Sequence, residues 1–365
     1  MSDNEKRLKD TLLALEKQMG EGIFFTNKKD AKIDRWALSS PALNYVFGGG
    51  FPKGRIAELY GRESHGKTLI ATIIAADIQK QGGKILYIDA EHGFDFEFAK
   101  VFGLDGENEN FILAHPDCAE DAMDITEQIA KTGSIDLIII DSIAALSPKA
   151  EMEGSNSDQQ MGALARVLSK AFRKMVATLG KTGTSLICIN QIREKIGGYS
   201  PYGPVITTPG GNALKFYASI RAEIKKVEDI KGVKGDDDLV GLVTKVKIKK
   251  NKTSLSGREA DIAISFTEGM DFTSQYVDFG ITKNVALVEK TGGAWYQIEG
   301  QRMNGKAKMI DFFKDPANKH LLDKLKKQVE ACFVGKQGEF LEEPEKVEKR
   351  KKKEVLDTVG IDSVE

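Results

Sequence analysis

The stretch RIAELYGRESHGKTLIATIIAADIQK, residues 55–80, decides the fold. It opens as an apolar strand, closes as a helix, and between them carries Gly61, Arg62, Glu63, Ser64, His65, Gly66, Lys67 and Thr68, a full G-x-x-x-x-G-K-[ST] match. Strand, loop and helix in that order turn the pattern into a phosphate cradle. Backbone N–H groups and the helix N-terminus face the phosphates, Lys67 reaches the outer ones, and the Thr68 hydroxyl binds Mg²⁺. All eight residues are therefore candidates for holding a nucleotide.

Working outward, KILYID, DLIIID and SLICIN read as further strands, with helices at residues 118–131 and 158–179. In the second helix Met161, Leu164, Ala165, Leu168, Ala171, Phe172, Met175 and Leu179 keep helical spacing. Apolar strands alternating with helices from about Trp36 to Phe266 imply an α/β fold with a mainly parallel sheet covered on both faces. The first thirty residues predict a helix with Leu8, Leu12, Leu13 and Leu15 on a partly apolar face, marginal alone and in need of a surface. A smaller, lysine-rich segment follows the core and ends in a helix near residues 321–333. The tail carries KVEKRKKK and few aromatics, which reads as disorder. The expected organisation is 1–32 helix and linker, 33–269 core, 270–334 second domain and 335–365 tail.

Composition excludes more than it selects. The 365 residues suggest roughly two domains. Lys and Arg number 53 against 54 Asp and Glu, a net charge of −1, so a polyanion would need a local basic region. Three scattered cysteines, Cys118, Cys188 and Cys332, fit a reducing compartment and no disulfide framework. His65, His92, His115 and His320 are as scattered, so no metal cluster is readable. No run approaches a membrane span, and a cytoplasmic protein is expected.

Other strand ends carry chemistry. LIIIDS places Asp141 at the end of a buried strand, where a carboxylate can hold the metal's water shell. KILYIDAEHGFD delivers Asp89 and Glu91 to the carboxyl edge of the sheet, where open α/β folds bind ligands, and Glu91 is the candidate base for an attacking water. SLICIN runs into Asn190 and Gln191, whose amide can reach a γ-phosphate. Directly after it, residues 197–211 string together Gly, Pro, Ser and Thr with Tyr199 and Tyr202, a segment with no helix or central-strand pattern. In VKIKKNK, period-2 alternation sets Lys245, Lys247 and Lys249 on one face and Lys250 beside Val246 and Ile248 on the other, so Lys250 needs an anion or must snorkel past the strand's end.

The ordered set LEKQMGEG, GRIAELYG, GKT, IDAEHGFD, DSIAALSPKAEMEG, INQIREKIG, GGNALKFYAS, VKIKKNK and GAWY resembles the bacterial RecA recombinase family, as a divergent or phage-encoded member, from about Leu8 to Phe333. The resemblance implies a RecA-type P-loop ATPase core with an N-terminal docking helix and a small α/β C-terminal domain. It implies an ATP- and Mg²⁺-dependent protein that forms helical filaments of itself on single-stranded DNA and exchanges strands with double-stranded DNA. By the same resemblance Glu91 is the catalytic glutamate, Gln191 the γ-phosphate sensor, and Asp95 and Phe98 lie near the adenine. Phe216 would join the subunit interface, and Lys250 with Lys252 would act on the neighbour's γ-phosphate. Residues 151–162, with Met161, match the first DNA-binding loop. The segment from Gly197, Gly198, Tyr199 and Tyr202 to Gly210, Gly211 and Asn212 matches the second, where glycines let backbone N–H groups approach phosphates and rings meet bases. Arg166, Arg173 and Arg193 would neutralise phosphates. Single-strand-binding and loader proteins and a LexA-like repressor are further partners the resemblance suggests. The alternative is a RecA-fold hexameric helicase or clock-type ATPase. This chain departs from the pattern in a second loop about two residues longer, with prolines at 201, 204 and 209, in His65 where serine is usual, and in the basic run of its tail. His65 is read as filling space.

Overall fold

The computed structural model describes residues 2–20, 24, 33–153, 162–194, 206–232 and 238–333. The chain opens with α1 (Asp3–Met19), β1 (Arg35–Trp36), α2 (Pro41–Phe47) and β2 (Phe51–Pro52). The alternating part follows: β3 (Ile56–Gly61), α3 (Lys67–Lys80), β4 (Ile85–Asp89), α4 (Phe96–Val101), β5 (Phe111–Ala114), α5 (Ala119–Lys131), β6 (Leu137–Asp141), α6 (Lys149–Glu153), α7 (Ala163–Thr182) and β7 (Ser185–Gln191). Then come β8 (Arg193–Glu194), β9 (Ile206–Thr207), α8 (Ala213–Tyr217), β10 (Ile220–Lys231), β11 (Leu239–Asn251) and β12 (Glu259–Ser265). The last elements are α9 (Phe272–Thr282), β13 (Glu289–Gly292), β14 (Trp295–Ile298), β15 (Gln301–Asn304), α10 (Lys306–Lys314) and α11 (Lys319–Ala331). Contacts divide the chain into two units, Met1–Ser39 with Gly50–Met270, and Ser40–Gly49 with the chain from Asp271 onward.

The first unit is built on an eight-stranded sheet in the order β12-β11-β10-β3-β7-β6-β4-β5. From β10 to β5 every neighbouring pair is parallel. Strands β3, β4 and β6 are buried at every position, as strands covered on both faces must be. One face, with Leu86, Ile88, Ile138, Ile140 and Leu186, packs on Met123 of α5 and on Leu168, Phe172 and Met175 of α7. The period of two sends Tyr87, Ile139 and Asp141 to the opposite face, and α3 packs against β3, β4, β6 and β7. The site residues therefore share the α3 face.

Two expectations change here. Residues 220–231, 239–251 and 259–265 form the long antiparallel strands β10, β11 and β12, with no helix among the described residues between them. Their sequence alternates Ala222 and Ile224, buried, with half-buried Arg221 and Glu223, the pattern of a sheet with one wet face, which a search for wholly apolar runs passes over. The helix expected over 158–179 begins at Ala163, because Gly162 takes a left-handed φ of +79° at its N-cap. Helix α1 starts with a capping box between Ser2 and Glu5, and none of its residues is buried.

The second unit pairs β13, β14 and β15 antiparallel and gathers Val277, Val288, Met309, Phe313, Leu325 and Val329 into one core. Residues 40–49, read from sequence as core, belong with it. Tyr45 of α2 lies 5.6 Å from Phe279 and 5.7 Å from Phe333 between ring centroids, and the Ser40 hydroxyl donates to Gln275 Oε1 at 2.6 Å. The tail from 335 lies outside the described residues.

Candidate functional site

Strand β3 ends at Gly61 and α3 starts at Lys67, so the loop between them opens at the carboxyl edge of the sheet. Lys67 is buried, and its ammonium donates to the Arg62 carbonyl at 2.7 Å. Burial pushes its pKa down, against the pull of Asp141, Glu91 and Glu63. His65 anchors the loop. Its carbonyl accepts from the Thr244 hydroxyl at 2.8 Å and its ring bonds the Ile224 backbone. Burial lowers the His65 pKa first, helped by Lys67, Lys226 and Arg62. Register pairs Gly61 with Gln191 on the adjacent strand β7, and Ile192 N donates to Gly61 O at 3.2 Å. The amide-bearing strand end thus lies directly beside the cradle.

Thr68 Oγ1 donates to Asp141 Oδ2 at 2.8 Å, and the Tyr87 hydroxyl donates to the same oxygen at 2.7 Å. Burial raises the Asp141 pKa, while these two bonds pull it down. Thr68, Asp141, Asp89 and Glu91 line one cleft, an all-oxygen set that suits a hard divalent cation. Among the described residues no group of three or more His, Cys, Asp or Glu could hold a metal by itself, so further ligands would come from water and phosphate oxygens.

Asp89 plays a different part from its neighbour. Its Oδ1 accepts from Glu91 N at 3.2 Å and Gly93 N at 3.3 Å, and its Oδ2 from Phe94 N at 2.9 Å. It builds the turn that carries Glu91, whose Oε1 accepts from the Ser142 hydroxyl. His92 sits in that turn at a left-handed φ of +54° and stacks on His115 at 5.0 Å. Asp95 caps α4 by accepting from Phe98 N at 3.0 Å, and both residues line the same cleft as Thr68 and Glu91.

Arg166 and Arg173 are exposed on α7, where with Lys170 and Lys174 they line a basic groove. Arg173 Nε lies 3.5 Å from the Tyr217 hydroxyl. Arg193, exposed, pairs through its backbone with Thr207, and Glu194 pairs with Ile206. A two-residue ladder therefore closes the base of the segment between them, where the sequence reading placed no strand. Met161, Gly197, Gly198, Tyr199 and Tyr202 lie outside the described residues. Gly210 and Gly211 take φ of +82° and +69°, and a Cβ there would stand 2.5 Å from Leu168 Cδ1 and 2.9 Å from Ala165 Cβ. Close approach to α7 is thus one reason for glycine at these positions. Asn212 stands at the N-cap of α8 without a side-chain capping bond.

The lysines of β11 divide into two groups. Lys245 pairs with Asp261 at 2.8 Å, Lys247 with Glu259 at 2.6 Å and Lys249 with Glu223 at 3.0 Å. Lys250 donates instead to the carbonyls of Lys215 at 2.7 Å and Phe216 at 3.2 Å, and Lys252 Nζ lies 3.5 Å from the Phe216 carbonyl. The partner required of Lys250 is therefore the C-terminal turn of α8 rather than an anion. Burial lowers the Lys250 pKa, as do Lys252 and Arg221, with Glu58 opposing. Phe216 beside them is 71% exposed.

Sequence reasoning missed Tyr87, Ser142 and Glu58. Glu58 is fully buried, takes Arg221 Nε at 2.5 Å and Asn190 Nδ2 at 3.1 Å, and Asn190 also reaches the Pro209 carbonyl at 3.2 Å. For Tyr87 and Glu58 the available signal was a polar atom inside an otherwise apolar strand, which demands a partner.

The chain matches the RecA N-terminal domain model over residues 6–271. It is 40% identical over 331 residues to the protein named Protein RecA of Corynebacterium aurimucosum, covering 90% of this chain and 85% of the relative. With that of Campylobacter fetus subsp. fetus it shares 39% over 336 residues, 91% and 94% of the two chains. With that of Fusobacterium nucleatum subsp. nucleatum it shares 42% over 309 residues, 84% and 79%. Cradle, carboxylates and sheet order accord with this likeness, a hexameric helicase is not favoured, and the chain belongs to the RecA family of recombinases.

Proposed function

We propose that this chain assembles as a helical filament on single-stranded DNA, pairs it with duplex DNA and hydrolyses ATP with Mg²⁺ to turn over. The observation that carries the reading is the pairing of Gly61 with Gln191, since the same strand runs on within two residues into the ladder at the base of the second loop. A γ-phosphate bound at the cradle meets the Gln191 amide, and that differential contact biases the loop. Lys67 exchanges the Arg62 carbonyl for the outer phosphates. Glu91, with one oxygen held by Ser142, keeps the other for the attacking water and accepts its proton. Thr68 and Asp141 would hold the Mg²⁺, which supplies charge neutralisation at the phosphate oxygens. Asp95 and Phe98 border the base end of the cleft.

Lys250 and Lys252, held on main-chain carbonyls beside exposed Phe216, serve the site of the adjacent subunit as an arginine finger does. Arg166, Arg173 and Arg193 neutralise DNA phosphates. Loader, single-strand-binding and LexA-like proteins rest on the resemblance alone. We place this work in the cytoplasm. Among the described residues, no helix is long and apolar enough to cross a membrane. Electron microscopy with single-stranded DNA and a slowly hydrolysed ATP analogue tests the proposal. Extended nucleotide-dependent helical filaments are expected; closed rings would overturn it in favour of a helicase-type motor.

A further inference from the structure

We propose that Tyr87 is a positioning residue for divalent-cation binding, its hydroxyl holding one oxygen of Asp141 so that the other faces the cation's water shell. This rests on the reading of the cleft as a nucleotide and Mg²⁺ site. Tyr87 is 1% exposed and is among the residues lining the cleft, and its hydroxyl donates to Asp141 Oδ2 at 2.7 Å. Thr68 Oγ1 approaches the same oxygen at 2.8 Å. The two donors differ in standing. Thr68 belongs to the phosphate cradle, and its oxygen is committed to the cation once one is bound, whereas Tyr87 belongs to the sheet and its bond does not depend on the nucleotide.

The ring is held where the hydroxyl has one direction to point. Phe94 packs on it with centroids 4.6 Å apart and Phe111 at 6.4 Å, and those two stack on each other at 5.3 Å. Packing alone would be served by phenylalanine, since a buried hydroxyl brings a desolvation cost that only its partner offsets. That partner is the carboxylate that orients the cation's water. Outer partners of this kind, when removed, typically weaken metal binding about 10–100-fold.

The test is Tyr87→Phe, which keeps the ring. Binding of a fluorescent ATP analogue is titrated with Mg²⁺, and repeated in EDTA, alongside thermal unfolding. Half-saturating Mg²⁺ is expected to rise about 10-fold, with binding in EDTA near wild type and a Tm lower by no more than roughly 8 °C for the lost bond. Phe94→Leu, which loosens the ring stack and keeps the hydroxyl, is expected to move half-saturating Mg²⁺ far less. An unchanged Mg²⁺ requirement in Tyr87→Phe, or an equal shift in both variants, overturns the role of the hydroxyl. Absence of Mg²⁺-linked nucleotide binding in the wild type overturns the site reading itself, and with it this inference.

Discussion

Replacing Asp89 by asparagine removes one charge and moves no atom far, yet it attacks the turn that carries Glu91. The carboxylate accepts from three backbone N–H groups, at 3.2 and 3.3 Å on Oδ1 and 2.9 Å on Oδ2. Asparagine can keep its oxygen on the side of Glu91 and Gly93, but its NH₂ then faces the Phe94 N–H. The shortest bond is lost, at about 1.5–3 kcal/mol for a charged acceptor, and the two survivors fall to neutral strength, roughly half. Water reaches the exposed backbone at Glu91 and Gly93 and recovers part of this. The net loss is about 2 kcal/mol, or roughly 4–8 °C in Tm for a unit of this order of size. Turnover should suffer more than nucleotide binding, because a base displaced by about 1 Å can cost on the order of 10²-fold. Thermal unfolding, nucleotide affinity and DNA-stimulated hydrolysis measured on one preparation decide it. A variant with wild-type Tm and turnover within a fewfold would refute the claim that Asp89 positions the base.

Lys250→Ala subunits and Glu91→Gln subunits should each hydrolyse ATP poorly in filaments, Glu91→Gln by about 10²-fold or more, yet recover turnover when mixed, since some junctions then unite an intact base with an intact lysine. No recovery despite demonstrated co-assembly would count against action across the interface. Gly210→Ala should lose about 1–3 kcal/mol, because it combines a φ of +82° with a Cβ placed 2.5 Å from buried Leu168; an unchanged unfolding midpoint would show that α7 yields to it.

The strands around the cradle were legible because a strand buried on both faces is apolar along its whole length, and β3, β4, β6 and β7 fall within a residue or so of the expected positions. Of the antiparallel extension only VKIKKNK was legible as a strand, by its alternation; β10 and β12 mix charged with apolar positions and match no wholly apolar run. Thr68, Glu91 and Asp141, read from the cradle pattern and from strand ends, line one cleft, and Lys67 is buried in the adjoining loop. Partners were harder. That Asp89 would spend both oxygens on backbone N–H groups depends on the path of the following turn, and that Lys250 would meet α8 depends on a contact across 34 residues of chain. Neither path is written in local composition.

The interleaving of the two units has a consequence for synthesis. Helix α2, with Leu43, Val46 and Phe47 buried, leaves the ribosome early, whereas the partners of Tyr45, Phe279 and Phe333, come from the far end of the described chain. More than two hundred residues separate Gly49 from Asp271. At about 5–20 residues per second, Tyr45 waits on the order of 10–45 s for these partners. The second unit can be completed only once Phe279 and Phe333 have emerged. A nascent chain arrested before α9 would therefore leave the Tyr45 ring without its aromatic partners, and Tyr45 marks a position in this protein whose packing depends on translation running to its end.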